Sequence, residues 1–158
     1  NYFKLPKPIL NRGGCNLSFA GLKTAVLKIS KNINSKKDKY NLAASFQNTI
    51  ENILYEKSKI AMSMFKENNR KVNSAFVIAG GVASNKKIRN TLKNLSIKKG
   101  FKPIFPPINL CSDNAAMIAW TGIEKFKLNL TDKLNCPARA RWPLDENAPF
   151  MKGAGVKL

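Results

Sequence analysis

At 158 residues the chain is long enough for one ordinary domain with its own core. Hydrophobic residues make up 44% and charged residues 23%, a globular balance, and no apolar run approaches the roughly 18 residues that would span a bilayer. The formal net charge is +19 and the histidine count is zero. The second number excludes Ser-His-Asp and Cys-His catalysis, HExxH metal sites and any histidine acid–base step within these residues.

A field of 28 basic against 9 acidic residues attracts polyanions, nucleic acid first among them. Because 23 of the 28 are Lys, a solvated surface on a compositionally biased chain accounts for the same charge. Both readings stand at this point. Cys15, Cys111 and Cys136 are too few and too far apart for a zinc site or a disulfide framework, and suit a reducing cytosol or organelle matrix. The opening "NYFKLPKPILNRGG" has no initiator Met and reads as a loop, which leads us to expect a fragment.

In chain order, Leu17 to Ala20 reads as a short strand, and Leu22, Ala25, Val26 and Ile29 then follow helical spacing. Asn32 to Lys39 is a polar loop. From about Tyr40 to Lys66 runs the longest helical signal, with Phe46, Ile50, Ile53, Ile60 and Met64 on one stripe. Asn68 to Asn73 breaks it. "SAFVIAGG" reads as a strand buried on both faces of a parallel sheet. Ser84 is the expected N-cap of the next helix, whose apolar face is Ile88, Leu92 and Leu95. "GFKPIFPP" is a second strand, stopped by Pro106 and Pro107. "SDNAAMIAWTGIEKF" is a further helix, opened by Ser112 or Asp113, and Ala115, Ala116 and Ala119 point to close packing on a neighbour. Residues 134–158 form a Pro-interrupted, extended tail.

Strand, glycine turn, helix, strand, helix is an α/β order with an at least partly parallel sheet. Ligands of such sheets sit beyond the carboxyl ends of the strands, where "AGGVASN" and "PPINLCSDNAAM" both fall. Gly80 and Gly81 either make a tight turn or let backbone N–H groups approach a phosphate beside a helix start. Neither a Walker A loop nor a GxGxxG fingerprint is present. Asn85 either binds a ligand through its amide or bonds its own backbone. Lys86, Lys87 and Arg89 face RNA phosphates or solvent. Asp113 is favoured at a helix start by the dipole alone, and by itself it holds no catalytic metal. Arg139 and Arg141 alternate in "ARARWPLD", so an extended chain would turn both guanidiniums to one anion, or to an ion pair such as Asp145.

"LSFAGLKTAV", "VIAGGVASNKKIR", "PPINLCSDNAAMIAW" and "ARARWPLD" together resemble, in matching order, four blocks of the universal tRNA threonylcarbamoyladenosine synthesis family of the bacterial TsaD type. The resemblance covers nearly the whole chain and only the C-terminal half of the family. It implies one lobe, residues 1–158, of an actin/Hsp70/sugar-kinase (ASKHA) fold, a mixed sheet flanked by helices. It implies transfer of a threonylcarbamoyl group from threonylcarbamoyl-adenylate to N6 of adenosine 37 in tRNAs reading codons that begin with A. It implies that Gly80 and Gly81 approach the phosphate of an ATP/AMP-type nucleotide, that Asn85 binds the adenylate, and that Asp113 ligates a divalent metal, iron or zinc. The family's two histidine ligands, in an HxxxH motif, are missing here. No catalytic residue beyond that metal ligand is assignable, and the lobe alone is expected to be inactive. The implied partners are tRNA and other proteins of the same pathway, not a membrane, in the cytoplasm or an organelle matrix. One departure is Ala20 before "GLKT", where the family usually has Ser. The alternatives are a non-catalytic basic RNA-binding module and a small-molecule kinase relative of the same fold.

Overall fold

Helix α1, Leu22–Ser30, follows from the spacing of Leu22, Ala25, Val26 and Ile29, which share one inward face. These coordinates are a computed structural model and describe residues 2–69 and 73–137. The strand expected at Leu17 to Ala20 is not formed. Ser18 Oγ accepts from the Ala20 N–H at 3.2 Å, a local turn that takes the backbone away from any ladder.

Helix α2, Lys36–Asn68, starts earlier than its apolar pattern because Ser35 caps it. Ser35 Oγ accepts from the Asp38 N–H at 3.0 Å and donates to Asp38 Oδ2 at 2.7 Å, so Lys36 to Lys39 are helix rather than loop. The buried stripe is also shifted from the expected one. It runs through Leu42, Ser45, Thr49, Ile53, Lys57 and Met62, while Phe46 and Met64 are exposed. The cause is what covers the helix. Residues 3–14 cross it with their backbone, and polar side chains answer that backbone: Ser45 Oγ accepts from the Phe3 N–H at 3.1 Å. Lys57, only 2% exposed, donates to the carbonyls of Arg12 and Gly14 at 2.8 and 3.1 Å.

Strand β1, Ala75–Val77, pairs in parallel with β2, Lys102–Ile104, in the register Ala75↔Lys102, Phe76↔Pro103 and Val77↔Ile104. Lys102 N donates to Ser74 O and Ile78 N to Ile104 O, so the even residues of β2 face β1 and Pro103 turns its missing N–H to the other edge. Among the described residues the sheet has these two parallel strands. A mixed sheet is not seen there, and β1 is not buried on both faces: Val77 is 61% exposed. Helix α3, Lys86–Lys98, is the crossover between them. It ends where Gly100 adopts φ 70°, with Gly100 N donating to Ile97 O and Phe101 N to Ser96 O.

Two apolar clusters hold this unit, residues 1–114. Met62, Ile88, Leu92, Leu95 and Phe101 form one, against Phe76 and Ile78. Leu5, Leu22 and Leu42 form the other, and Ile50 packs on both. The second unit begins with α4, Ala115–Lys127, one to three residues later than Ser112 or Asp113 suggested. Asn114 Nδ2 donates to Ser112 O just before it. Every described residue of α4 is exposed, Ala115, Ala116 and Ala119 among them. Most of the tail at 134–158, with Arg139 and Arg141, lies outside the described residues.

Candidate functional site

The carboxyl ends of β1 and β2 carry the two loops singled out in the sequence. After β1 the chain reaches Gly80 at φ 83° and ψ 174°, a left-handed φ that a side chain resists. A 3-10 turn, Gly81–Ser84, follows, closed by Ala83 N to Gly80 O at 2.9 Å and Ser84 Oγ to Gly81 O at 2.6 Å. Ser84 therefore closes this turn instead of capping α3. A Cβ placed on Gly80 or Gly81 would meet nothing within 4 Å. The Gly81 and Val82 N–H groups make no hydrogen bond among the described residues, and both residues are exposed.

Asn85 is the cap of α3. Its Oδ1 accepts from the Lys87 and Ile88 N–H groups at 3.1 and 3.2 Å, the commitment expected of an N-cap amide. Its Nδ2 donates to Gln47 Oε1 of α2 at 3.2 Å. An amide nitrogen carries two hydrogens, so one N–H remains for a ligand while the oxygen is already engaged.

The three basic residues of α3 separate. Lys86 is exposed. Lys87 is paired across to α2, its Nζ 2.7 Å from Asn48 Oδ1 and 3.3 Å from Glu51 Oε2. Glu51 also accepts from Thr91 Oγ1, and these groups line a cleft of about 330 Å³ between the two helices. Arg89 is engaged internally. Its Nε donates to Ala83 O at 2.9 Å, both Nη atoms donate to Pro106 O at 3.1 Å, and Nη2 lies 3.3 Å from Cys111 Sγ. Its guanidinium stands 4.7 Å over the Phe105 ring.

Past β2, the loop passes Pro106 and Pro107 into a 3-10 turn, Ile108–Leu110, and then into buried Cys111. The two 3-10 turns touch. Asp113 follows, exposed and without a hydrogen bond or ion pair among the described residues. Among those residues no three His, Cys, Asp or Glu side chains come together as metal ligands. Gln47 and Glu51 were not singled out in the sequence, and Cys111 was weighed there only as a zinc or disulfide partner. Gln47 and Glu51 stand one helical turn apart on α2, a spacing that could have flagged a polar seam within its apolar pattern.

The sequence profile of the TsaD family, described as tRNA N6-adenosine threonylcarbamoyltransferase, matches residues 1–120. A protein of that name from Pelagibacter ubique (strain HTCC1062) is 63% identical over 158 residues, 100% of this chain and 44% of the relative. Another from Zymomonas mobilis subsp. mobilis is 46% identical over 153 residues, 97% of this chain and 41% of the relative. A third, from Cereibacter sphaeroides (strain ATCC 17025), is 42% identical over 161 residues, 98% of this chain and 44% of the relative. The chain thus spans less than half the length of these curated relatives. With three quarters of its residues under one profile, the chain belongs to the TsaD family of tRNA N6-adenosine threonylcarbamoyltransferases.

Proposed function

We propose that residues 1–158 are the C-terminal, ASKHA-type lobe of an enzyme that transfers a threonylcarbamoyl group from threonylcarbamoyl-adenylate to N6 of adenosine 37 in tRNAs reading codons that begin with A. The profile match over residues 1–120 supports the transfer activity in this reading, and the lobe assignment is our own. In the transfer, the N6 amine attacks the carbamoyl carbonyl and a C–N bond forms. The bond from that carbonyl to the phosphate oxygen breaks, AMP leaves, and the amine proton passes to solvent.

This lobe's part is to hold the nucleotide. The unpaired N–H groups at Gly81 and Val82 and the open space at Gly80 suit an anionic phosphate at a turn leading into a helix. The remaining Asn85 N–H suits an acceptor on the adenylate. The described residues do not by themselves form a complete metal centre for iron or zinc. Asp113 is proposed as a single ligand of a shared set, whose imidazoles must come from outside these histidine-free residues.

The net charge of +19 supports a tRNA partner, with Lys86, Lys87, Arg139 and Arg141 as proposed contacts, and other proteins of the pathway complete the assembly. Among the described residues no helix is long and apolar enough to cross a membrane, and a cytoplasmic or organelle-matrix site belongs to the same proposal.

The test supplies the whole protein, with its partners, with threonylcarbamoyl-adenylate and tRNA, and measures the modified nucleoside by mass spectrometry. Modification at adenosine 37 by the whole protein, and none by residues 1–158 alone, is the expected result. Transfer by the isolated chain overturns the lobe reading. No transfer by the whole assembly overturns the function and favours the RNA-binding module that the charge also supports.

A further inference from the structure

We infer that Arg89 is a positioning residue: it fastens the Gly80–Asn85 turn to the 105–113 loop and so sets the two halves of the nucleotide site against each other. The inference rests on the nucleotide reading above and names a device within it. Arg89 lies in the first turn of α3, directly behind the Asn85 cap, and half-buried. One planar fork reaches three places at once: Ala83 O in the first turn, Pro106 O at the start of the second loop, and Cys111 Sγ two residues before Asp113. The Phe105 ring closes the stack at 4.7 Å.

The sheet cannot do this work. Its register is fixed over three residue pairs, all of them before the loops begin. Pro106 and Pro107 have no N–H, so that segment cannot donate to its neighbour, and a side chain must supply the donors. Lysine would keep the charge but offers a point donor on a flexible stem, without the fork that spans separate acceptors. The carbonyl of Ala83 and the loop leading to Asp113 would then move independently.

The test is calorimetric titration of AMP into the whole protein as wild type, Arg89→Lys, Asn85→Asp and the double variant, with circular dichroism to confirm folding. Arg89→Lys is expected to stay folded and bind AMP about tenfold more weakly, the scale of one lost hydrogen bond. If Arg89 acts through the site, the double variant loses less than the product of the two single losses. Wild-type affinity in folded Arg89→Lys, or losses that multiply fully, overturns the inference. Should Arg89→Lys fail to fold, Phe105→Leu loosens the same clamp from the other loop, and unchanged AMP affinity there overturns it. A wild-type protein that binds no AMP overturns the nucleotide reading as well, which separates the two failures.

Discussion

Asn85 Nδ2 and Gln47 Oε1 are 3.2 Å apart, so the residue that starts α3 is held from the middle of α2. Asn85 thus has two duties in one amide, capping through oxygen and presenting N–H through nitrogen. Substitutions separate them. Asn85→Ala removes both and is expected to cost about 1 kcal/mol of stability, as lost caps do. Asn85→Asp keeps an oxygen for the Lys87 and Ile88 N–H groups and should unfold near the wild-type temperature. It should still bind AMP weakly, because the donor is gone and a carboxylate faces the phosphate. Thermal melts and AMP titration of both variants check this.

Gly80 and Gly81 are expected to respond differently to the same change. At φ 83°, Gly80→Ala strains the backbone and should cost about 1–2 kcal/mol in denaturant titration. Gly81 has no such φ and open space around it, so Gly81→Ala should leave stability within about 0.5 kcal/mol. Its added methyl stands where a phosphate would approach the backbone, so AMP affinity should fall in Gly81→Ala although the fold does not weaken.

Lys57 makes a different kind of bond, from the buried face of α2 to the carbonyls of Arg12 and Gly14. Lys57→Met fills similar space and leaves both carbonyls without a donor. The expected loss is about 1.5–3 kcal/mol, the net worth of hydrogen bonds made by a charged donor. The segment it ties should also loosen. Limited trypsin digestion should therefore cut after Arg12 sooner in Lys57→Met than in wild type.

Asp113 contributes nothing to the fold that its contacts reveal, being exposed and unpartnered among the described residues. Asp113→Asn should melt as the wild type does, within about 0.5 kcal/mol. In the whole protein it should lower bound metal, measured by elemental analysis after dialysis, and abolish transfer. A matching metal content would remove Asp113 from the ligand set.

The parts of this fold that were legible in the sequence are those where one element buries a face of side chains. Ile88, Leu92 and Leu95 read as a helix face and are buried as such. The two strands and their parallel crossover followed from short apolar runs around one helix. Where the covering layer is backbone, the apolar code failed. Ser45, Thr49 and Lys57 are buried on α2 because backbone polar groups lie over that helix and Ser45 and Lys57 bond to them, and no hydrophobic period marks such positions. The site showed the same division. The glycine pair and Asn85 announced a turn and a cap by type, whereas the joining of the loops by Arg89 depends on the path of Pro106 to Cys111, which spacing does not encode. Nor did the charge of α3 reveal that Lys87 pairs with Glu51 at the surface and Arg89 turns inward, while Lys86 does neither.

Ile50 touches both apolar clusters, one built on Leu22 and Leu42 and the other on Leu92 and Phe101. Neither cluster can come apart without exposing a residue the other also covers. Opening at the α1 end should therefore carry a penalty registered at the crossover helix, and amide exchange at Leu22 and Leu92 is expected to be coupled. The helix that looks like a long spacer is the unit's axis of cooperativity.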